Sequence, residues 1–167
     1  ADIKDLAWLR LMYAHPARVD QDLIDIIRQK QNICNYIDIP VQHINNKILK
    51  SMNRPYSKQY IIELLQNMRS QIPDITIRTS LIVGYPGEKE ADFKELFSFI
   101  QEYPFDQLGC FAYSDEQGTA AYELKNKVDE DVIKLRQEKI MEKQFKQVLS
   151  QNKRYIGKTV QVIYEGG

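Results

Sequence analysis

The sequence predicts an α/β domain built on parallel strands, because three features of the chain point the same way. Short apolar segments alternate with amphipathic segments from residue 7 to about residue 154, and strands that alternate with helices run parallel with right-handed crossovers. Each candidate strand is followed closely by proline, glycine or polar residues, which is typical of a strand that ends at a turn. Hydrophobic residues recur at helical spacing between the strands, as at Phe93, Leu96, Phe97 and Ile100.

The composition describes one soluble globular domain of ordinary size. The 167 residues carry 23 basic and 23 acidic side chains, and 43% are hydrophobic. A formal net charge of zero argues against binding nucleic acid through bulk attraction to phosphates. The two cysteines, Cys34 and Cys110, cannot form a disulfide framework or a metal site that needs three or four thiolates. We expect a cytoplasmic protein, because the sequence shows no apolar run long enough for a membrane span and no signal-peptide pattern.

The first half of the chain predicts two strands and three helices. Residues 7–13 form an apolar run that predicts a buried strand, and Asp20 is a suitable N-cap for the next helix. A second strand is predicted at residues 36–39, which Pro40 ends, and Ser57 is a suitable N-cap for the third helix. The apolar positions that predict these helices are Leu23, Ile24, Ile26, Ile27, Ile44, Ile48, Leu49, Met52, Ile61, Leu64, Leu65 and Met68.

The second half predicts two further complete strands, at residues 75–83 and 108–113, separated by a tight turn and a helix. A polar loop follows at residues 114–127, and Asp129 then opens a long helix that runs to about Arg154. A last strand is predicted at residues 158–164. The apolar stripe of the long helix is expected to comprise Ile133, Ile140, Met141, Phe145, Val148 and Leu149.

Four strands are too few for a closed barrel, since an eight-stranded (β/α) barrel takes roughly 250 residues. No helix is predicted before the first strand, and the last predicted strand is cut short. We therefore expect this chain to be a fragment of a larger enzyme. A cut sheet edge pairs readily with another strand, so an artefactual homodimer through that edge is also an expectation.

Ligands of parallel α/β proteins bind at the carboxyl ends of the strands, so the turn at residues 84–87 is the first candidate site. Pro86 and Gly87 suit the central positions of a type II turn, and Gly84 has no Cβ to keep a planar ligand away from the backbone. We expect Glu88 to lie in the first turn of the following helix. A plain connection between strand and helix is the commoner interpretation of such a turn at this point.

Charged side chains inside two apolar strands, Asp38 and Arg78, are the other candidates. A buried charge is costly unless it is paired. We expect Asp38 and Arg78 either to face a polar ligand on the concave side of the sheet or to form a structural ion pair with each other. His15 and His43, the only histidines, also follow predicted strands, but a hydrogen-bonded structural histidine is the commoner case.

Four runs of sequence, in this order and at this spacing, resemble the radical S-adenosylmethionine methylthiotransferases. They are YIDIPVQH at 36–43, LKSMNR at 49–54, IRTSLIVGYPGE at 77–88 and FDQLGCFAYSDEQGTA at 105–120. Within that family, residues 38–43 and 113–119 are most similar to the branch that modifies an aspartate of a small-subunit ribosomal protein.

The resemblance implies a partial (β/α) TIM-like barrel with parallel strands, truncated at both ends. Residues 1–154 would be the C-terminal part of the barrel, and residues 155–167 the start of a truncated TRAM-type β domain. It also implies S-adenosylmethionine and two 4Fe-4S clusters in the parent enzyme, a reductant for the cluster, and a ribosomal protein that receives a methylthio group on the β-carbon of an aspartate. The CxxxCxxC loop of the family is absent from this sequence, so we expect the chain alone to hold no cluster and to be inactive.

Matching motif positions imply a set of residues around S-adenosylmethionine. Ile82 and Val83 would supply apolar contact and Gly84 close approach, while the strand around Phe111 and Tyr113 would flank the adenine. Gln42, Arg78 and Ser80 would contact the ribose or the carboxylate, since a guanidinium matches a carboxylate. The substrate-side candidates are His15, Asp38 and His43, and the motifs indicate no catalytic residue.

Three other functions remain open on the sequence. The same machinery could act on a tRNA adenosine, which would predict a basic face. The chain could be a non-enzymatic α/β module that binds a ligand at its strand ends. A cobalamin-dependent radical enzyme would need a further domain that this sequence does not contain.

Overall fold

Four strands form one parallel sheet in the computed structural model, which describes residues 3–162. The strands are β1 (Leu9–Leu11), β2 (Ile33–Asp38), β3 (Thr76–Val83) and β4 (Gln107–Ala112). They lie in the order β1-β2-β3-β4, and each is parallel to its neighbours. The predicted α/β class with a parallel sheet is therefore confirmed.

Three of the five helices within the described residues begin directly after the capping residues that the sequence predicts. The helices are α1 (Gln21–Gln29), α2 (Asn46–Ser51), α3 (Lys58–Gln71), α4 (Glu90–Glu102) and α5 (Glu130–Asn152), with 3₁₀ turns at Pro16–Arg18 and Lys153–Tyr155. The side chains of Asp20, Ser57 and Asp129 each accept a hydrogen bond from a backbone N–H in the first turn of α1, α3 and α5. Such caps satisfy donors that have no partner inside the helix.

The strand order never reverses, so each right-handed crossover places its helix on the same face of the sheet. This is the winding of a (β/α) barrel, since a doubly wound sheet reverses its strand order and carries helices on both faces. The core between sheet and helices is made of Ile37, Ile77, Leu81, Val83, Leu108 and Cys110 from the strands and Ile24, Ile27, Ile61, Leu65, Phe93, Leu96, Phe99, Ile133 and Ile140 from the helices.

The opposite face of the sheet carries the side chains that alternate with this core. We call it the open face, and it comprises Tyr36, Asp38, Arg78, Ser80, Ile82, Gly109 and Phe111. In register across the strands, Arg78 lies beside Asp38, Ser80 beside Gly109, and Ile82 beside Phe111. The open face therefore brings residues from three strands onto one surface.

Two strand predictions need correction. The strand predicted at residues 7–13 is limited to Leu9–Leu11, and Met12 and Tyr13 are exposed, because β1 pairs with β2 alone within the described residues. The strand predicted at residues 158–164 is absent from residues 158–162, which have no regular structure, and residues 163–164 lie outside the described range.

The apolar stripe predicted for α5 is also wrong in its second half. The buried side chains of α5 are Ile133, Arg136, Ile140 and Gln144, whereas Met141, Phe145 and Leu149 are exposed. The helix docks on β4 partly through amides, which donate to strand and loop carbonyls: Gln137 to Cys110 at 2.8 Å, Gln144 to Asp106 at 3.3 Å and Gln147 to Phe105 at 2.6 Å. An edge strand carries unpaired carbonyl groups, and glutamine can satisfy them where an apolar side chain cannot. Within residues 3–162, no helix is both long enough and apolar enough to span a membrane.

Candidate functional site

The turn after β3 has the predicted geometry and is closed by a carboxylate that the sequence did not predict. We call the hydrogen bonds of Glu88 to the backbone of this turn the clamp. Glu88 N–H donates to the Tyr85 carbonyl at 2.9 Å, and Gly87 has a φ of +87°, which defines a type II turn. The expectation that Glu88 lies in the first turn of α4 is wrong, because α4 begins at Glu90. Its carboxylate is buried and accepts hydrogen bonds from the N–H groups of Gly84 and, at 3.2 Å, Tyr85. Glu88 therefore closes the turn from inside.

Gly84 is required here by helix packing. Its φ is +78°, and a Cβ at this position would lie 2.3 Å from Cγ1 of Ile133 on α5. The missing Cβ thus makes room for Ile133 on α5. The sequence analysis instead attributed the glycine to close approach of a ligand. Close approach of a ligand to the other side of the Gly84 backbone stays a prediction.

Three of the predicted cofactor residues, Arg78, Ser80 and Ile82, share the open face through the alternation of β3. Phe111 lies beside Ile82 in register and its side chain is 53% exposed, so an aromatic ring is presented to any ligand on this surface. The side chain of Val83 points into the helical core instead, which does not fit the apolar contact expected from it. At the site Val83 contributes its carbonyl, which accepts from Tyr113 N–H at 2.9 Å.

Asp38 and Arg78 form the ion pair that the sequence left open, with Oδ2 of Asp38 2.7 Å from Nη1 of Arg78. The Asp38 side chain is 1% exposed and that of Arg78 28%. Oδ1 of Asp38 has no hydrogen-bond partner within the described residues. The pair is therefore structural, and one buried acceptor remains beside it on the open face.

Gln42 extends the sheet past the end of β2. Its N–H donates to the Ser80 carbonyl at 2.9 Å, and its carbonyl accepts from Ile82 N–H at 2.8 Å. Its φ of +66° lies in the left-handed region, which costs a non-glycine residue about 1–2 kcal/mol. Strain of this kind is concentrated at ligand sites. Gln42 is thus held next to Ser80 and Ile82, and its contact with a ribose or a carboxylate stays a prediction.

The two histidines serve as local acceptors. His43 is fully buried, which does not fit the contact with substrate expected of it, and its Nδ1 accepts from Asn45 N–H at 2.9 Å. Burial lowers the pKa of His43 to about 4, against the opposing influence of Asp92 and Glu95. Nδ1 of His15 accepts from Ala17 N–H at 3.3 Å, and the ring packs edge-on against Tyr56. Substrate contact by His15 stays a prediction.

We expect the buried neutral His43 to make the protein less stable in acid. The folded-state pKa lies below the ordinary value of 6.5, so protonation favours the unfolded chain as the pH falls from 6.5 through 4. The full shift corresponds to about 3 kcal/mol of unfolding free energy. Urea unfolding of the wild type and of His43→Gln between pH 7 and pH 4 measures this loss of stability. Equal losses of stability in wild type and His43→Gln would contradict this assignment.

A cavity of about 610 Å³ lies on the α5 side of the turn, between α5 and the segment 113–128. Gly84, Tyr113 and Ile133 are among its lining residues. Lys127, which the motifs did not single out, organises this segment: Nζ contacts the Asp115 carboxylate and donates to the carbonyls of Ala121 and Tyr122, each at 3.0 Å. Gly84 and Tyr113 directly follow β3 and β4, so the cavity borders the ends of these strands.

Tyr113 has its hydroxyl donating to Asp115 at 2.7 Å, and its ring lies edge-on to Tyr85. Burial, followed by the hydrogen bond to Asp115, raises the pKa of Tyr113 to about 12. The phenol is therefore protonated at neutral pH, and its ring borders the turn.

The described residues do not fit an iron–sulfur cluster. Cys34 is half-buried on β2, whereas Cys110 is buried on β4, where burial raises the pKa of its thiol to about 12. Within residues 3–162, no group of three or more cysteine, histidine or acidic side chains could hold a metal ion. Clusters are held by thiolates, so any cluster ligands must come from outside this part of the chain.

A parallel sheet wound in one direction, with a polar and aromatic surface at its strand ends, defines a segment of the (β/α)-barrel class. The family model of the Radical SAM superfamily matches residues 4–100, which is more than half of the chain. The chain belongs to the radical SAM superfamily.

Curated relatives match almost the whole chain. The ribosomal protein uS12 methylthiotransferase RimO of Protochlamydia amoebophila is 44% identical over 165 residues, covering 99% of this chain and 35% of the relative. The protein of that name from Geobacter sulfurreducens is 46% identical over 166 residues, covering 99% of this chain and 37% of the relative. The chain thus spans about a third of the length of these relatives.

A solved structure confirms the fold. Coproporphyrinogen III oxidase (HemN) from Escherichia coli, described as a radical SAM enzyme, aligns with a TM-score of 0.63 at 19% identity. The alignment covers 90% of this chain and 34% of that structure.

Proposed function

We propose that this chain forms part of a radical SAM methylthiotransferase that modifies ribosomal protein uS12. The observation that carries the proposal is the identity of 44–46%, across nearly the whole chain, with relatives of that name. An aspartate that receives a methylthio group on its β-carbon is the proposed product. A ribosomal substrate and a reductant for the cluster would place the enzyme in the cytoplasm.

The open face fits S-adenosylmethionine by its chemistry. Arg78 and Ser80 offer donors for a carboxylate or a ribose, and Ile82 and Phe111 offer apolar surface for an adenine. Oδ1 of Asp38, beside Arg78, is a buried acceptor without a hydrogen-bond partner in the described residues. When bound and reductively cleaved, this cofactor supplies a radical that abstracts hydrogen from the substrate.

The residues of this chain are therefore assigned to binding and orientation. Gln42 fixes the backbone between β2 and β3, and Glu88 fixes the turn after Ile82 and Val83. Arg78, which is paired with Asp38 and partly exposed, offers guanidinium N–H donors on the open face. No step is assigned to a cluster, because the described residues hold no ligand set for one.

The proposal is tested by determining which macromolecule, uS12 or tRNA, the full-length protein modifies. The full-length protein, loaded with iron and sulfide and supplied with S-adenosylmethionine and a reductant, is incubated in parallel with uS12 and with unmodified tRNA. Mass spectrometry of the uS12 peptides should show one methylthio group in place of one hydrogen on an aspartate. Modification of a tRNA adenosine with no change in uS12 would overturn the proposal in favour of the other branch.

We expect Phe111→Ala to weaken S-adenosylmethionine binding in the full-length protein by about tenfold, since an aromatic side chain supplies roughly 1–3 kcal/mol of stacking to a base. Leu135→Ala is the matched control, because Leu135 is similarly exposed but lies on α5. Equilibrium dialysis measures both. Equal affinities for Phe111→Ala and wild type would remove Phe111 from the proposed site.

A further inference from the structure

The turn after β3 depends on a buried charge that the turn itself does not balance. The Glu88 carboxylate is fully buried, and its Oε2 accepts from the N–H groups of Gly84 and Tyr85. An ionised carboxylate accepts such bonds most strongly, whereas burial without a counter-charge favours the neutral acid. The clamp therefore needs a cation nearby.

The cation comes from α5, far along the chain. Nη1 of Arg136 lies 3.3 Å from Oε1 of Glu88, and the Arg136 side chain is 6% exposed. The same guanidinium donates to the Glu88 carbonyl at 3.4 Å, reaches Glu90 at 3.4 Å and lies over the ring of Phe93. Arg136 therefore forms an ion pair with the Glu88 carboxylate and a hydrogen bond with the Glu88 carbonyl at the end of the turn.

A second residue of α5 presses on the start of the same turn. Ile133 fills the space that a Cβ on Gly84 would occupy. Ile133 and Arg136 are three positions apart, so they lie on one face of α5. Both lie beyond residue 100, where the match to the superfamily model ends.

We propose that Arg136 is a positioning residue for cofactor binding, which sets the conformation of the Gly84–Glu88 turn from the helical side of the sheet. The inference rests on the proposed function for the ligand, but the geometry of the clamp does not depend on it. Loss of Arg136 would leave Glu88 buried without its counter-charge, and the two turn N–H groups would lose their ionised acceptor. Burial raises the pKa of Glu88 above its ordinary value, and Arg136 is the strongest of the influences that oppose this rise.

Two measurements on the full-length, cluster-loaded protein test the inference. Arg136→Met should weaken S-adenosylmethionine binding about tenfold, which is within the range for coupling between contacting residues, and Arg136→Lys should recover part of the loss. Without the cofactor, hydrogen exchange at the Gly84 and Tyr85 amides should be faster in Arg136→Met while the amides of β2 stay unchanged. Arg28→Met is the control, since Arg28 pairs with Asp25 on the surface of α1.

A double-mutant cycle with Glu88→Gln separates positioning from general loss of stability. Glu88→Gln, Arg136→Met and the double variant should weaken binding by similar factors, because each removes the same ion pair. Additive losses, or an unchanged exchange rate at Gly84 and Tyr85 in Arg136→Met, would overturn the inference. A wild-type protein that binds no S-adenosylmethionine would overturn the proposed function instead, and the exchange measurement would still decide on Arg136.

Discussion

Replacing Gly84 with alanine is expected to lower the free energy of unfolding by about 2–5 kcal/mol. The left-handed backbone of Gly84 costs an alanine roughly 1–2 kcal/mol, and a methyl group pushed into a packed interior costs about 1–3 kcal/mol more. The new Cβ would meet three side-chain atoms of Ile133 at 2.3–2.9 Å. Ile133 lies on a helix that hydrogen bonds fix to β4 and to the loop before it, so it has little freedom to withdraw.

Gly87 and Gly118 provide the matched controls. Both have a positive φ, at +87° and +82°, but a Cβ at either position would meet nothing within 4 Å. Gly87→Ala and Gly118→Ala should therefore lower the free energy of unfolding only by the cost of a left-handed alanine backbone, about 1–2 kcal/mol. Urea unfolding of the three variants gives the comparison, and a loss in Gly84→Ala no larger than in Gly87→Ala would show that α5 does not press on the turn.

The second large effect is expected at the ion pair of the open face. Arg78→Met should destabilise the protein by about 2–4 kcal/mol, because it leaves the buried carboxylate of Asp38 without its partner. Asp38→Asn should cost less, about 1 kcal/mol, since Arg78 is partly exposed and can turn to water. Urea unfolding of the two single variants and of the double variant at neutral pH measures which substitution costs more unfolding free energy. It also gives the coupling energy between the two positions.

The double variant Arg78→Met/Asp38→Asn should resemble Asp38→Asn more than Arg78→Met, since it no longer buries an unpaired charge. A larger loss in Asp38→Asn than in Arg78→Met would contradict this account of the pair.

Local chemistry made the element boundaries predictable. Asp20, Ser57 and Asp129 cap helices in the structure as the sequence predicts, because a cap is a contact between residues two or three positions apart. The type II turn at Pro86 and Gly87 is predictable for the same reason. Strand alternation likewise placed Arg78, Ser80 and Ile82 on one face once the limits of β3 were known.

Contacts between distant segments were not predictable. Glu88 looked like an ordinary residue of a helix start, because its partner Arg136 lies 48 positions away on α5. The α5 stripe was wrong for Met141, Phe145 and Leu149, since the rule of apolar periodicity does not anticipate a helix that docks on a strand through glutamine amides. His43 could be read as a substrate contact only while its burial was unknown.

The sequence therefore predicted which residues share the open face, but not the contacts that hold the neighbouring turn in place. The strand-end location, Gln42 and the open-face residues follow from the sequence and the resemblance, whereas the clamp and the contacts of Ile133 and Arg136 with this turn follow only from the structure. The central claim is that S-adenosylmethionine binds at the strand ends on the open face.

Hydrogen exchange of the full-length, cluster-loaded protein, measured with and without S-adenosylmethionine, tests that claim most directly. The account predicts that the cofactor slows exchange in residues 39–43 and 84–88 and at Tyr113, and leaves α1 and α3 unchanged. Protection confined to residues 114–128 and α5, with none in residues 39–43 and 84–88 or at Tyr113, would contradict it.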